Sequence, residues 1–89
     1  MATMSQIIET KLQQAFQPEA LEVTDDSARH EGHHGHRHGG ETHFYVRIVA
    51  AAFAGVSRVE RQRRVYAVLA EELRTQIHAL QLETKAPGE

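Results

Sequence analysis

The side chains best suited to chemistry in this sequence are imidazoles. Seven of the 89 residues are His, and six of those fall between His30 and His43. Neutral imidazole is a common ligand for zinc, copper, nickel and iron. His30, His33, His34, His36 and His38 are interleaved with Gly32, Gly35, Gly39 and Gly40. Such spacing concentrates ligands without fixing their geometry, and metal affinity depends on that preorganisation. The stretch therefore reads as a tethered supply of ligands, as a metal-buffering loop, or as a solvated polar loop. His78 differs in kind: it shares strand parity with Leu80 and Leu82, which puts it at the rim of an apolar face with one nitrogen turned outward. The competing reading of His78 is a core-edge side chain bonded to backbone. The chain has no Cys, which excludes disulfides, cysteine nucleophiles and any thiolate site formed by this chain alone.

Other chemistry is poorly supported. No hydroxyl lies in a nucleophile-elbow pattern, and no Gly-rich phosphate loop precedes a helix. Asp25 and Asp26 are adjacent carboxylates on opposite faces of an extended segment, better suited to ending a strand than to acid–base work. The expectation is a protein that is not an enzyme. Arg58, Arg61, Arg63 and Arg64 crowd one short stretch and could meet phosphates. The alternative is a solvated helix face with Glu60 and Arg64 paired at i, i+4. A net charge of −2 supplies no global attraction for a polyanion. No apolar run approaches the ~20 residues that span a bilayer. The first residues carry neither the basic nor the apolar region of a signal peptide, so the expected location is cytoplasmic, with no membrane partner.

The elements that must position these residues follow from periodicity. Met4, Ile8, Leu12, Ala15 and Phe16 mark one face of a helix over 4–16, opened by a Thr3–Gln6 capping box and stopped by Pro18. Leu21 to Thr24 alternate as a half-buried strand over 20–25. A His/Gly-rich loop runs over 28–41. Residues 42–50 are β-branched and aromatic, with Phe44, Val46 and Ile48 on one face and His43, Tyr45, Arg47 and Val49 on the other. Ser57 caps a long helix reaching Thr75, with Val59, Tyr66, Leu69, Ala70 and Leu73 as its apolar stripe, widened by Val65 and Val68. A third strand spans 77–85, and 86–89 reads as a frayed tail. The order α-β-β-α-β predicts a single two-layer α+β domain over 1–89. Its sheet is three-stranded and mixed, with the helices on one face; the second and third strands are free to run parallel through the helical crossover. An exposed strand edge permits a weak homodimer but does not require one, so the expected state alone is a monomer or weak dimer.

Particular runs of residues also resemble the BolA family. They are Glu41-Thr42-His43-Phe44, Arg64-Val65-Tyr66, Leu69-Ala70-Glu71-Glu72-Leu73 and Ile77-His78-Ala79-Leu80-Gln81-Leu82-Glu83-Thr84, with Phe16-Gln17-Pro18 and Leu21-Glu22-Val23 upstream. The resemblance implies a KH-like (class II) fold. It also implies a monothiol glutaredoxin of the CGFS type as partner, sharing a [2Fe–2S] cluster whose sulfur ligands come from the glutaredoxin cysteine and glutathione. His78 would be one ligand from this chain and His30 the other, with His33, His34, His36, His38 and His43 ranked behind it. No cluster is expected in the isolated chain. Two imidazoles in place of two thiolates raise a cluster's reduction potential, as in Rieske centres. The resemblance carries an alternative as well: transcription regulation in the stress response, with Arg58, Arg61, Arg63 and Arg64 on nucleic acid such as DNA. KH domains clamp the backbone with a GXXG loop, and here Gly55-Val56-Ser57-Arg58 lacks the second glycine.

Overall fold

The computed structural model describes residues 3–25 and 43–89. The chain forms α1 (Met4–Phe16), β1 (Ala20–Asp25), β2 (His43–Val49), α2 (Arg58–Val68), α3 (Ala70–Thr75) and β3 (Ala79–Lys85), with a short 3-10 turn at Ala51–Phe53. The expected His/Gly-rich loop, including His30, His33, His34, His36 and His38, lies outside the described residues.

Helix α1 starts where its sequence dictates. Thr3 Oγ1 accepts from the Gln6 backbone N–H at 3.2 Å, and Gln6 Oε1 accepts from the Thr3 N–H at 2.9 Å. These reciprocal bonds satisfy donors that the first turn leaves without helical partners. At the other end Gln17 is left-handed, with φ 48° and ψ 56°, and Pro18 follows. Proline crowds the preceding residue out of the right-handed region, and the helix stops there.

The sheet order is β1-β2-β3. β1 lies antiparallel to β2, with Val23 opposite Val46. β2 runs parallel to β3, with His43 opposite Ala79 and Val46 opposite Leu82. Met4, Ile8 and Leu12 of α1 share one buried core with Phe44, Val46 and Ile48 of β2, Val65 of α2, and Phe53, Leu69 and Ile77 from the intervening turns. Both helical segments therefore cover the same face of the mixed sheet, the two-layer α+β arrangement expected from the pattern.

Three expectations need correction. The long helix is divided at Leu69, whose φ −101° and ψ 18° leave the helical region. Bonds from Leu69 N to Val65 O and from Leu73 N to Leu69 O keep the two parts in line. Its buried stripe is also rotated. Val65 and Leu69 are fully buried, whereas Val59 is 64% and Tyr66 39% exposed. Tyr66 lies about 100° and Val59 about 120° round the helix from Val65, at 3.6 residues per turn. The core-facing place one turn before Val65 belongs to Arg61 instead, which is 8% exposed. Finally, the tail is fastened. Ala86 is buried, its N–H donates to Glu89 Oε1 at 3.0 Å, and Glu89 N donates to Ala86 O at 3.1 Å.

Candidate metal centre

The parallel pairing of β2 with β3 builds the site. His43 is the first residue of β2, and its register partner Ala79 is the first of β3. His78, immediately before Ala79, therefore arrives beside His43. The two imidazole centroids are 5.3 Å apart, with their planes inclined at 55°. His78 is exposed and His43 half-buried.

The approach to His78 is tightly held. Gln76 N and Ile77 N both donate to Glu72 O at 2.8 Å, and the Ile77 side chain is buried in the core. Glu72, itself buried, takes the Lys11 ammonium of α1 on its carboxylate at 2.6 Å. The exit from α3 is thus pinned to α1, and His78 follows the buried Ile77 as an exposed side chain directly before the strand. Backbone fixed on both sides is what a ligand needs to keep its place before the metal comes.

Sequence parity sets His43 opposite Phe44, and on that ground it ranked behind the loop histidines. Parity describes one strand only. The register between β2 and β3 is what brings His43 to His78, and the sequence signal for it was a parallel pairing in which one His opens a strand and another just precedes its neighbour. The expectation that His78 sits at a partly shielded rim is corrected too: it is exposed, because Ala79 rather than Ile77 begins the strand. Among the described residues no group of three or more His, Cys, Asp or Glu could hold a metal ion.

The arginines expected at a phosphate surface do not act as one group. Arg61 turns inward. Its Nε donates to Val56 O at 2.7 Å, and its Nη1 to Thr84 O at 3.3 Å. Both terminal nitrogens meet the Glu89 carboxylate, at 2.7 and 2.8 Å. This guanidinium, together with the Ala86 N–H, pulls the Glu89 carboxyl down to about 2, and the same bond raises Arg61 above its ordinary value. Arg63 and Arg64 remain exposed, and both lie near Glu60, at 3.7 and 3.4 Å. Glu60 completes the start of α2 only in part: Ser57 Oγ accepts its N–H at 3.2 Å, while its carboxylate faces the two arginines. Arg58 is exposed and lines a cleft of about 380 Å³ with Arg61, Gln62, Thr84 and Lys85. On the open sheet face, Tyr45 donates to Glu83. That bond raises the phenol and, with it, lowers the Glu83 carboxyl.

Comparison with known proteins gives a consistent result. The family model for BolA-like protein matches residues 12–89. BolA-like protein 1 of Pongo abelii is 43% identical over 92% of this chain, which spans 57% of that relative's length. A protein of Haemophilus influenzae named DNA-binding transcriptional regulator BolA is 42% identical, over 98% of this chain and 81% of its own. Among solved structures, the BolA domain of SufE1 from Arabidopsis thaliana superposes with a TM-score of 0.83 at 40% identity, covering 98% of this chain and 95% of that one.

Proposed function

The chain belongs to the BolA family, and from that premise we propose that it is an iron–sulfur adaptor. It pairs with a monothiol glutaredoxin and donates imidazoles to a shared [2Fe–2S] cluster in cluster trafficking or iron sensing. The observation that carries this reading is an exposed His78, anchored on both sides by folded backbone, with a second imidazole 5.3 Å away in a chain that has no Cys. Such a chain cannot hold a cluster by itself, yet it can finish the coordination of an iron whose sulfur ligands another molecule supplies. The second ligand is His30, with His33, His34, His36, His38 or His43 as the less favoured choices. Cytoplasmic location and a non-enzymatic role belong to the same proposal.

The test is to titrate the purified chain into a reconstituted glutaredoxin cluster and record visible circular dichroism. The spectrum changes with the native chain and stays unaltered with His78→Ala. A native chain that leaves the spectrum untouched refutes the proposal.

A second reading, nucleic-acid binding, is favoured by the name of the Haemophilus influenzae relative. It draws little from the expected arginines. Arg61 is committed to Glu89, and Glu60 offsets Arg63 and Arg64. If it holds, affinity for duplex DNA falls steeply with salt and weakens on changing Arg58 and Arg63 to Ala. No binding at low salt removes it.

A further inference from the structure

We infer that the cleft between α2 and the end of β3 is a binding site for a small dicarboxylate, one carboxylate of which takes the place of Glu89 on Arg61. The inference goes beyond the adaptor reading and shares no residue with it, since the cleft lies at the opposite end of β3 from His78.

The receptor is built without Glu89. Arg61 is 8% exposed, and its guanidinium is held by Val56 O at 2.7 Å and Thr84 O at 3.3 Å, with its centre 6.0 Å from the centroid of the Phe53 ring. Both terminal nitrogens still have donors for a carboxylate, which meets them at 2.7 and 2.8 Å. The Ala86 N–H adds a further donor at 3.0 Å. It too is fixed independently, because Ala86 is buried and the preceding Lys85 O accepts the Ala50 N–H at 2.9 Å. A planar fork that reaches both oxygens at once is shaped for a carboxylate rather than for a spherical anion.

The occupant, by contrast, is replaceable. The Glu89 side chain is 46% exposed where that of Arg61 is 10%. It returns to the guanidinium through a tight turn centred on Pro87 and Gly88, in which Gly88 has φ 88° and Glu89 N donates to Ala86 O at 3.1 Å. Opening that turn releases the carboxylate to water and leaves the guanidinium buried. A buried cation without its anion is costly, which favours a replacement from outside.

The rest of the cleft sets the class of ligand. Its volume is about 380 Å³, and Arg58, Gln62, Thr84 and Lys85 line it. Lys85 lies 3.5 Å from Glu83. Arg58 is exposed and makes no hydrogen bond or ion pair among the described residues. The Thr84 hydroxyl oxygen is buried, and no hydrogen-bond partner satisfies it among the described residues. A second carboxylate on the ligand therefore has Arg58 to meet. Arg58 and Arg61 stand three apart on α2, with Cβ atoms about 5–6 Å apart, a spacing that suits two carboxylates joined by about two or three carbons. Glu83, half-buried in the same lining, opposes a run of phosphates.

The test is to titrate sodium succinate into the full chain at constant ionic strength, following the Arg61 Nε–H and Ala86 amide resonances by NMR. The expected result is saturable, joint movement of both, with one succinate per chain by calorimetry. Glu89→Ala removes the resident competitor and tightens uptake at least about tenfold, since a tethered carboxylate acts at high effective concentration. Arg58→Ala weakens succinate by about three- to fivefold and leaves acetate, with its single carboxylate, unchanged. A parallel titration with acetyl-Glu-Glu-amide identifies the source: tighter uptake than succinate makes the ligand an acidic peptide segment, and weaker uptake makes it a free diacid. Far-UV circular dichroism reports whether each variant is folded, and should Glu89→Ala unfold, the native chain and Arg58→Ala decide. Absence of saturable movement in the native chain, inorganic phosphate taken up as tightly as succinate, or an Arg58→Ala chain that binds succinate undiminished overturns the inference. Uptake by Glu89→Ala alone makes Glu89 a permanent structural partner and overturns it as well.

Discussion

The two ends of β3 treat their polar side chains in opposite ways. At the far end, Arg61 is drawn under the sheet and closed off by Glu89, Val56 O and Thr84 O. At the near end, His78 stands exposed with His43 beside it. The seven residues of β3 separate these ends by about 20 Å. The far end uses charge to fasten the tail to α2. The near end holds its backbone just as firmly but leaves the His78 side chain exposed. Charge density therefore does not by itself mark a phosphate surface in this molecule, because the most basic stretch is partly structural: Arg61 is buried and closed on Glu89.

Substitutions should separate the two ends cleanly. The largest effect expected is at the near end: His78→Ala abolishes the spectral change of a glutaredoxin cluster. Because His78 is exposed, the same substitution moves the urea unfolding free energy by no more than about 0.5 kcal/mol. A large loss of stability would blur the contrast and make His78 a structural residue. Core truncations show the reverse. Leu69→Ala, at a fully buried position, costs about 2–5 kcal/mol in urea unfolding. The loss is large against the few kcal/mol by which a small domain is stable.

The far end should announce itself through acid. Glu89 has a folded pKa of about 2 against an ordinary 4.5. A carboxyl depressed on folding contributes stability that is present above its unfolded pKa and lost as pH falls toward the folded one. Urea midpoints should therefore decline as pH falls from 4.5 toward about 2, and Glu89→Gln should flatten that decline. Glu83, lowered by its bond from Tyr45, adds to the slope in the same direction and persists in the variant. An unchanged slope in Glu89→Gln would show that the clamp does not hold in solution. The smallest effects belong to the outer face of α2. Val59→Ala and Arg63→Ala, both exposed, should each shift unfolding by no more than about 0.5 kcal/mol.

Local rules made most of the fold legible. The Thr3–Gln6 box, Pro18 and the alternation of Phe44, Val46 and Ile48 each act over a few residues, and each element forms where its pattern places it. The rotated stripe on α2 was hidden because an arginine in a helix reads as solvated. Its burial depends on Glu89, a partner in another part of the chain that no periodicity links to it. The closeness of His43 and His78 was hidden for a similar reason: parity fixes faces within a strand, and only pairing register fixes neighbours between strands. His78 itself was legible as the His that precedes the last strand. The loop histidines lie outside the described residues, so their part in the site rests on chemistry and resemblance.

The central claim is that imidazole nitrogen from this chain ligates iron in the mixed complex, and pulsed electron paramagnetic resonance reads that most directly. The chain is grown with 15N-labelled histidine, combined with the glutaredoxin cluster and reduced. Hyperfine couplings from two 15N nuclei are expected, with one lost in His78→Ala if a cluster is retained at all. A reduced complex with no 15N coupling, or with couplings unaffected by that substitution, contradicts the account.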